Sequence, residues 1–176
     1  MRASWIHPSS DAGGAPPAAG ANASAASPAG GALGAACTAD ELRAEGIECA
    51  AFDVANVAEV AGRIGRERGL GSRDDIALRH DNPQSEAKIA READEHAHMD
   101  DEVRLIVEGS GYYDVRARDE RWVRVELAAG DLIVVPARRY HRFLLGASGS
   151  VRFVQPFAER PGLIPLYRAS DDETRC

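Results

Sequence analysis

The chain has 176 residues, with 21 Lys+Arg against 28 Asp+Glu and a formal net charge of −7, a length at which one domain with its own core is expected. The acidic balance excludes nucleic acid as a main partner, because phosphate binding needs a basic face. No apolar run approaches the roughly 20 residues of a membrane-spanning helix, so no membrane insertion is expected.

Residues 11–36 hold 12 Ala and 6 Gly with Pro16, Pro17 and Pro28 interspersed. Such a stretch has little apolar surface to bury and no helical or strand period, so a flexible segment is predicted over 1–37 and a folded domain over 38–176. Neither an Arg-rich transit peptide nor a secretory signal fits that start. Cys37, Cys49 and Cys176 are too few and too scattered for a disulfide framework or a thiolate zinc site. A cytoplasmic protein is expected.

Order is expected to begin near Thr38, where Thr38-Ala-Asp-Glu41 fits a capping box and Gly46 ends the short helix it opens. Ile47 to Val54 reads as a strand. Val57, Val60, Ala61 and Ile64 share one helical face that Gly69 closes. Ser72 to Arg79 is predicted as another helix, Pro83 as a break, and Gln84 to Ala93 as one more helix.

From about Asp94 the period changes. Val103, Leu105 and Val107 alternate with Arg104 and Ile106, the two-residue period of a strand with two faces. Gly109-Ser-Gly111 reads as a turn, and Tyr112 to Arg116 with Trp122 to Leu127 as a hairpin. Leu132 to Val135, His141 to Leu145 and Val151 to Pro156 continue the series. Short strands at such regular spacing predict a mainly β sandwich or barrel behind a few N-terminal helices.

Only five histidines occur, at 7, 80, 96, 98 and 141. On a strand His96 and His98 point to one face, about 6–7 Å apart, close enough for two imidazoles to share an ion at roughly 2.0–2.1 Å. Glu102 joins them only if Met99-Asp-Asp101 bends the chain, and residues of that kind suit a turn. A fourth ligand must arrive from elsewhere, and His141 follows the strand that ends at Pro136. Three imidazoles and one carboxylate suit Fe(II), Ni(II), Mn(II), Zn(II) or Co(II). An octahedral ion would keep two positions for substrate or dioxygen.

His96-x-His98-x3-Glu102-x6-Gly109 and Gly130-x5-Pro136-x4-His141 match the two cupin motifs. Glu95 to Arg104, Gly109 to Arg116, Trp122 to Val125 and Tyr140 to Phe143 resemble the acireductone dioxygenase family, closest to its eukaryotic-type branch. The resemblance implies a cupin double-stranded β-helix (jelly-roll) barrel. It implies a methionine-salvage enzyme that uses Fe(II) and O2 to convert 1,2-dihydroxy-3-keto-5-(methylthio)pentene to 4-methylthio-2-oxobutanoate and formate. With Ni(II) it implies off-pathway methylthiopropionate, formate and carbon monoxide. By position, the metal ligands are His96, His98, Glu102 and His141, one ion per chain.

A cation near the site would stabilise the bound enediol dianion. Arg104 shares strand parity with Glu102, and the resemblance also places an active-site arginine there. Asp101 matches an acidic family position and reads as a turn or supporting residue rather than a base. Phe143 shares parity with His141 and reads equally as pocket lining or core. A monomer is expected, in the cytoplasm and, by resemblance, also the nucleus.

Three departures stand out: Arg138 where the family carries glycine, Ala93 where it carries an aromatic, and Leu163 in place of a tryptophan. A positive φ at Arg138 would cost about 1–2 kcal/mol. Two alternatives follow: a cupin oxygenase or isomerase for another enediol or diketone, and a metal-bearing binding module without catalysis.

Overall fold

The computed structural model describes residues 1–6, 33–158 and 163–168. The expected flexibility of 11–36 falls almost wholly outside these residues. Order does not wait for Thr38, however. β1 (Arg2–Ile6) and β2 (Leu33–Ala36) pair with each other, and β1 also pairs with β7 (Trp122–Ala128).

The first helix, α1 (Ala39–Ala44), starts on the expected capping box: the Thr38 hydroxyl accepts from Glu41 N–H and the Glu41 carboxylate accepts from Thr38 N–H. β3 (Glu48–Ala51) is shorter than predicted and leads through a 3-10 turn into α2 (Val57–Arg68). Gly69 closes α2 at φ 71°, a left-handed conformation that costs glycine nothing.

Ser72–Arg79 is not a helix. It forms strand β4, paired antiparallel along its whole length with β10 (Ser150–Phe157). Its burial alternates: Asp74, Ile76 and Leu78 turn inward while Arg73, Asp75 and Ala77 face solvent. A two-residue period overrides the weak helical signal once a partner strand supplies the hydrogen bonds. Pro83 opens a helix rather than breaking the chain: α3 (Pro83–Ala93) has Pro83 in its first turn and Asn82 as its cap.

The remaining strands are β5 (His96–Ala97), β6 (Glu102–Arg116), β8 (Asp131–Val135), β9 (His141–Leu145) and β11 (Leu166–Tyr167). β6 is the spine. Its first half pairs with β8 and β10, and its second half with β7 and β9. The expected turn at Gly109-Ser-Gly111 is therefore a bend inside one strand. Gly109 takes φ 71°, and a β-carbon there would meet the Ser150 carbonyl at 2.2 Å. The bend marks a change of partners, with β8 and β10 paired to β6 up to Gly109 and β7 and β9 from Ser110 onward. The fold is mainly β and of cupin type. The ladder of paired strands does not close into a ring, and β2, β11, β3 and β4 lie at its edges.

Two apolar clusters use the two faces of β6. Val103, Leu105 and Val107 pack with Ala61 and Ile64 of α2. Ile106, Tyr113 and Val115 face the interior with Phe143 and Phe153. Even-numbered positions point inward before the bend and odd-numbered ones after it, because β6 carries one extra residue, Val107, opposite the step from Arg152 to Phe153 of β10. No described helix is long and apolar enough to cross a membrane.

Candidate metal centre

Charged residues occupy the interior positions that come just before the apolar ones on β6. Glu102 and Arg104 precede Ile106 on the inward face, and each is 1% exposed. His96 comes from β5 and His141 from β9, directly opposite each other in the ladder. His98 lies one residue past the end of β5, so of the His-x-His pair only His96 is held by strand pairing. The chain bends at residues 99–101, and Glu102 returns to face the histidines.

One ligand atom from each of His96, His98, Glu102 and His141 lies within 4.8 Å of every other, and all four residues are buried. Ring centroids are 4.6 Å apart for His96–His141 and 5.1 Å for His96–His98.

The imidazoles are oriented by backbone carbonyls. Nδ1 of His96 lies 2.7 Å from Asp94 O, that of His98 3.0 Å from Ile164 O, and that of His141 2.8 Å from Arg139 O. A carbonyl can only accept, so each Nδ1 carries the proton and each Nε2 keeps its lone pair toward the shared centre. Burial lowers the His96 pKa further, which favours the neutral ligand form.

Glu102 Oε2 and His141 Nε2 are 2.5 Å apart yet neither has a hydrogen-bond partner. Two buried lone pairs converging without a proton between them are costly unless a cation fills the point they share. The residues present therefore fit a divalent ion with mixed nitrogen and oxygen ligands.

Glu102 is held as a carboxylate. Burial works against its charge, but the Arg104 guanidinium holds its pKa well below the usual range. Its other oxygen, Oε1, lies 2.6 Å from Arg104 Nη2 and accepts from the Tyr113 hydroxyl at 3.1 Å. The same Arg104 nitrogen donates to Glu92 of α3 at 2.5 Å. The guanidinium is stacked over Phe153, Phe143 and Tyr113, 4.3, 4.9 and 5.2 Å from their ring centroids. Burial opposes its charge too, and the two carboxylates outweigh that, so Arg104 stays protonated. Its Nε and Nη1 have no partner.

In front of these groups lies a cavity of about 280 Å³, close to the lower end of the roughly 300–1,000 Å³ typical of ligand pockets. His96, His98 and Arg104 form one wall, α3 another through Lys88 and Glu92, and Ile76, Phe157 and Leu163 supply apolar surface.

Asp101 faces elsewhere. It accepts from Ala137 N–H at 3.0 Å and from Arg68 at 2.6 Å, tying the bend before Glu102 to the loop before His141. Phe143 is 2% exposed and packs under Arg104 against Tyr113 and Phe153. Arg138 does adopt a positive φ, 62°, and its N–H donates to His98 O at 2.7 Å.

Tyr113, Glu92 and Ile164 were not singled out from the sequence. The parity change at Gly109 hides Tyr113, and Glu92 and Ile164 arrive from other elements. A glycine pair inside a strand was the one local sign that parity changes there.

Comparison with known proteins places this geometry. The model of the ARD/ARD' family matches residues 38–165. Acireductone dioxygenase of Heterostelium pallidum is 39% identical over 106 residues, 60% of this chain and 73% of that protein. That of Yarrowia lipolytica is 36% identical over 141 residues, 77% of this chain and 79% of that one. A solved acireductone dioxygenase from Bacillus anthracis, with a cadmium ion in its active centre, superposes with a TM-score of 0.67 at 28% identity. That match covers 73% of this chain and 87% of the other.

Proposed function

Because the chain belongs to the ARD/ARD' family, we propose that it is an iron-dependent acireductone dioxygenase of methionine salvage. It uses O2 to cleave 1,2-dihydroxy-3-keto-5-(methylthio)pentene to 4-methylthio-2-oxobutanoate and formate. The observation that carries this reading is the buried group of three imidazoles and one carboxylate converging beside a cavity. His96, His98, Glu102 and His141 would hold Fe(II). Ni(II) on the same residues would direct the off-pathway reaction to methylthiopropionate, formate and carbon monoxide. The bound ion supplies Lewis acidity and a template for an electron-rich enediolate and dioxygen.

The protein's own groups do the positioning. Arg104 has two unpartnered nitrogens, Nε and Nη1, and donates their N–H groups to the substrate's anionic oxygens, in a site dry enough for such bonds to count. Tyr113 and Arg104 fix the rotamer of Glu102. Asp101 sets the chain bend rather than exchanging protons with substrate. Phe143 supports Arg104 from below. Ile76, Phe157 and Leu163 offer apolar surface for a methylthio chain. The chain works as a monomer in the cytoplasm.

Metal analysis of the purified protein, paired with product identification under Fe(II) and under Ni(II), tests the proposal. Keto acid and formate are expected with iron, and carbon monoxide with nickel. Neither product above background from freshly generated acireductone would sink it. Leu163 in the cavity wall, where the resemblance implies a tryptophan, favours a second reading, an oxygenase or isomerase for another enediol or diketone. Competition between candidate substrates separates the two.

A further inference from the structure

Arg104 is the only side-chain cation so far given a part in binding an anionic substrate, yet its charge is already matched. Glu102 and Glu92 both hold the same guanidinium nitrogen, and three aromatic rings fix the group in place. Its spare N–H groups can direct a substrate oxygen, but a divalent ion and Arg104 set against Glu102, Glu92 and a bound dianion leave the site one positive charge short.

Lys88 lines the same cavity. It is half-buried on α3, whereas Arg91 on the same wall is exposed. Its natural helical partner would be Glu92, four residues on, but Glu92 is taken by Arg104. Lys88 makes no hydrogen bond or ion pair among the described residues. The carboxylates of Glu92 and Asp74 favour its charge from nearby, and a ligand oxygen would add the hydrogen-bond acceptor that a half-buried ammonium otherwise lacks. Lysine also suits the task, being a compact charge on a flexible stem that can follow a substrate into place.

We propose that Lys88 is a substrate-contacting residue whose ammonium binds an anionic oxygen of a metal-chelating dianion in the cavity that Arg104 also lines. Burial lowers the Lys88 pKa, as expected for a cation waiting for its counter-charge. The choice of ligand class rests on the reading of the site as an enediolate enzyme, and the test separates the two.

The probe is oxalate, a small chelating dianion, titrated into the full-length Ni(II)-loaded protein, with imidazole as a neutral ligand for the same ion. Lys88→Met keeps the length of the stem and removes the charge. It should weaken oxalate by about tenfold or more, the size of a lost hydrogen bond to a charged group. Imidazole affinity should stay within about twofold, and Lys88→Arg should recover most of the oxalate affinity. An oxalate affinity unchanged in Lys88→Met, or a parallel loss for imidazole, overturns the proposal. In acireductone turnover the same variant should raise KM more than it lowers kcat. If the wild-type protein turns over no acireductone but its oxalate binding depends on Lys88, the functional reading falls and the role of Lys88 stands.

Discussion

β6 carries two buried charge clusters, one in each half. In the second half Asp114, fully buried, accepts two hydrogen bonds from Arg124 at 2.7 and 2.9 Å and one from Arg142 at 2.9 Å. None of its atoms is left without a partner, and neither are those of Arg124. In the first half, Glu102, Arg104 and His141 leave four buried polar atoms unsatisfied, and these are the described side-chain atoms in that state. Both are built around a buried carboxylate of β6 that faces a guanidinium. Satisfaction differs: the Asp114 cluster is completed by the protein and the Glu102 cluster only by a ligand.

Breaking the completed cluster should cost the most. Asp114→Ala leaves two guanidiniums, one of them 4% exposed, without their carboxylate. It should destabilise the metal-free protein by about 3–5 kcal/mol in denaturant unfolding, while Ni(II) affinity of the folded fraction holds. Glu102→Ala should do the reverse: metal affinity falls by more than about 100-fold by calorimetry, beyond the loss expected for a group behind the ligands. Its unfolding free energy should move less than that of Asp114→Ala, because Arg104 keeps Glu92. If both variants lose stability and metal alike, the distinction between the clusters is wrong.

Tyr113→Phe sharpens the contrast, because Tyr113 serves only one of the carboxylates. It should lower metal affinity by about tenfold and stability by about 1 kcal/mol. Arg138→Gly, beside His98, relieves a left-handed residue whose side chain is exposed. A gain of about 1 kcal/mol is expected in thermal unfolding, with metal affinity unchanged.

The smallest effect concerns Glu95, which precedes His96 and pairs with Arg116 of β6. Burial opposes its charge, but Arg116 and Arg168 lower its pKa below the ordinary 4.5. A depressed carboxylate stabilises fully above its unfolded pKa, and that stability is lost as pH falls through the folded value. Wild-type protein should therefore lose stability below about pH 4.5 more steeply than Glu95→Gln. Equal slopes would remove Glu95 from the account.

Much of the site was legible because its rules are local. The His-x-His pair, the bend before Glu102 and the inward parity of Arg104 all lie within nine residues of one another. The capping box at Thr38 and the left-handed backbone at Arg138 are equally short in range. The helix expected over Ser72–Arg79 failed for the opposite reason. Its strand state depends on β10, whose Ser150 pairs with Arg79 far along the chain, and propensity yields to such pairing.

By itself, the sequence determined which residues could bind a metal, which strand faces they share and that the chain is a mainly β cupin. The tertiary structure alone decided how they are held. The carbonyl that sets the His98 tautomer belongs to Ile164, 66 residues away, and Glu92 reaches Arg104 from a separate helix. It also decided which buried charges are complete and which are left open. Hydrogen bonds are satisfied by whatever the fold brings within about 3 Å, and chain order does not encode that proximity. Composition located the charges, and packing separated those that hold the fold from those that await a ligand.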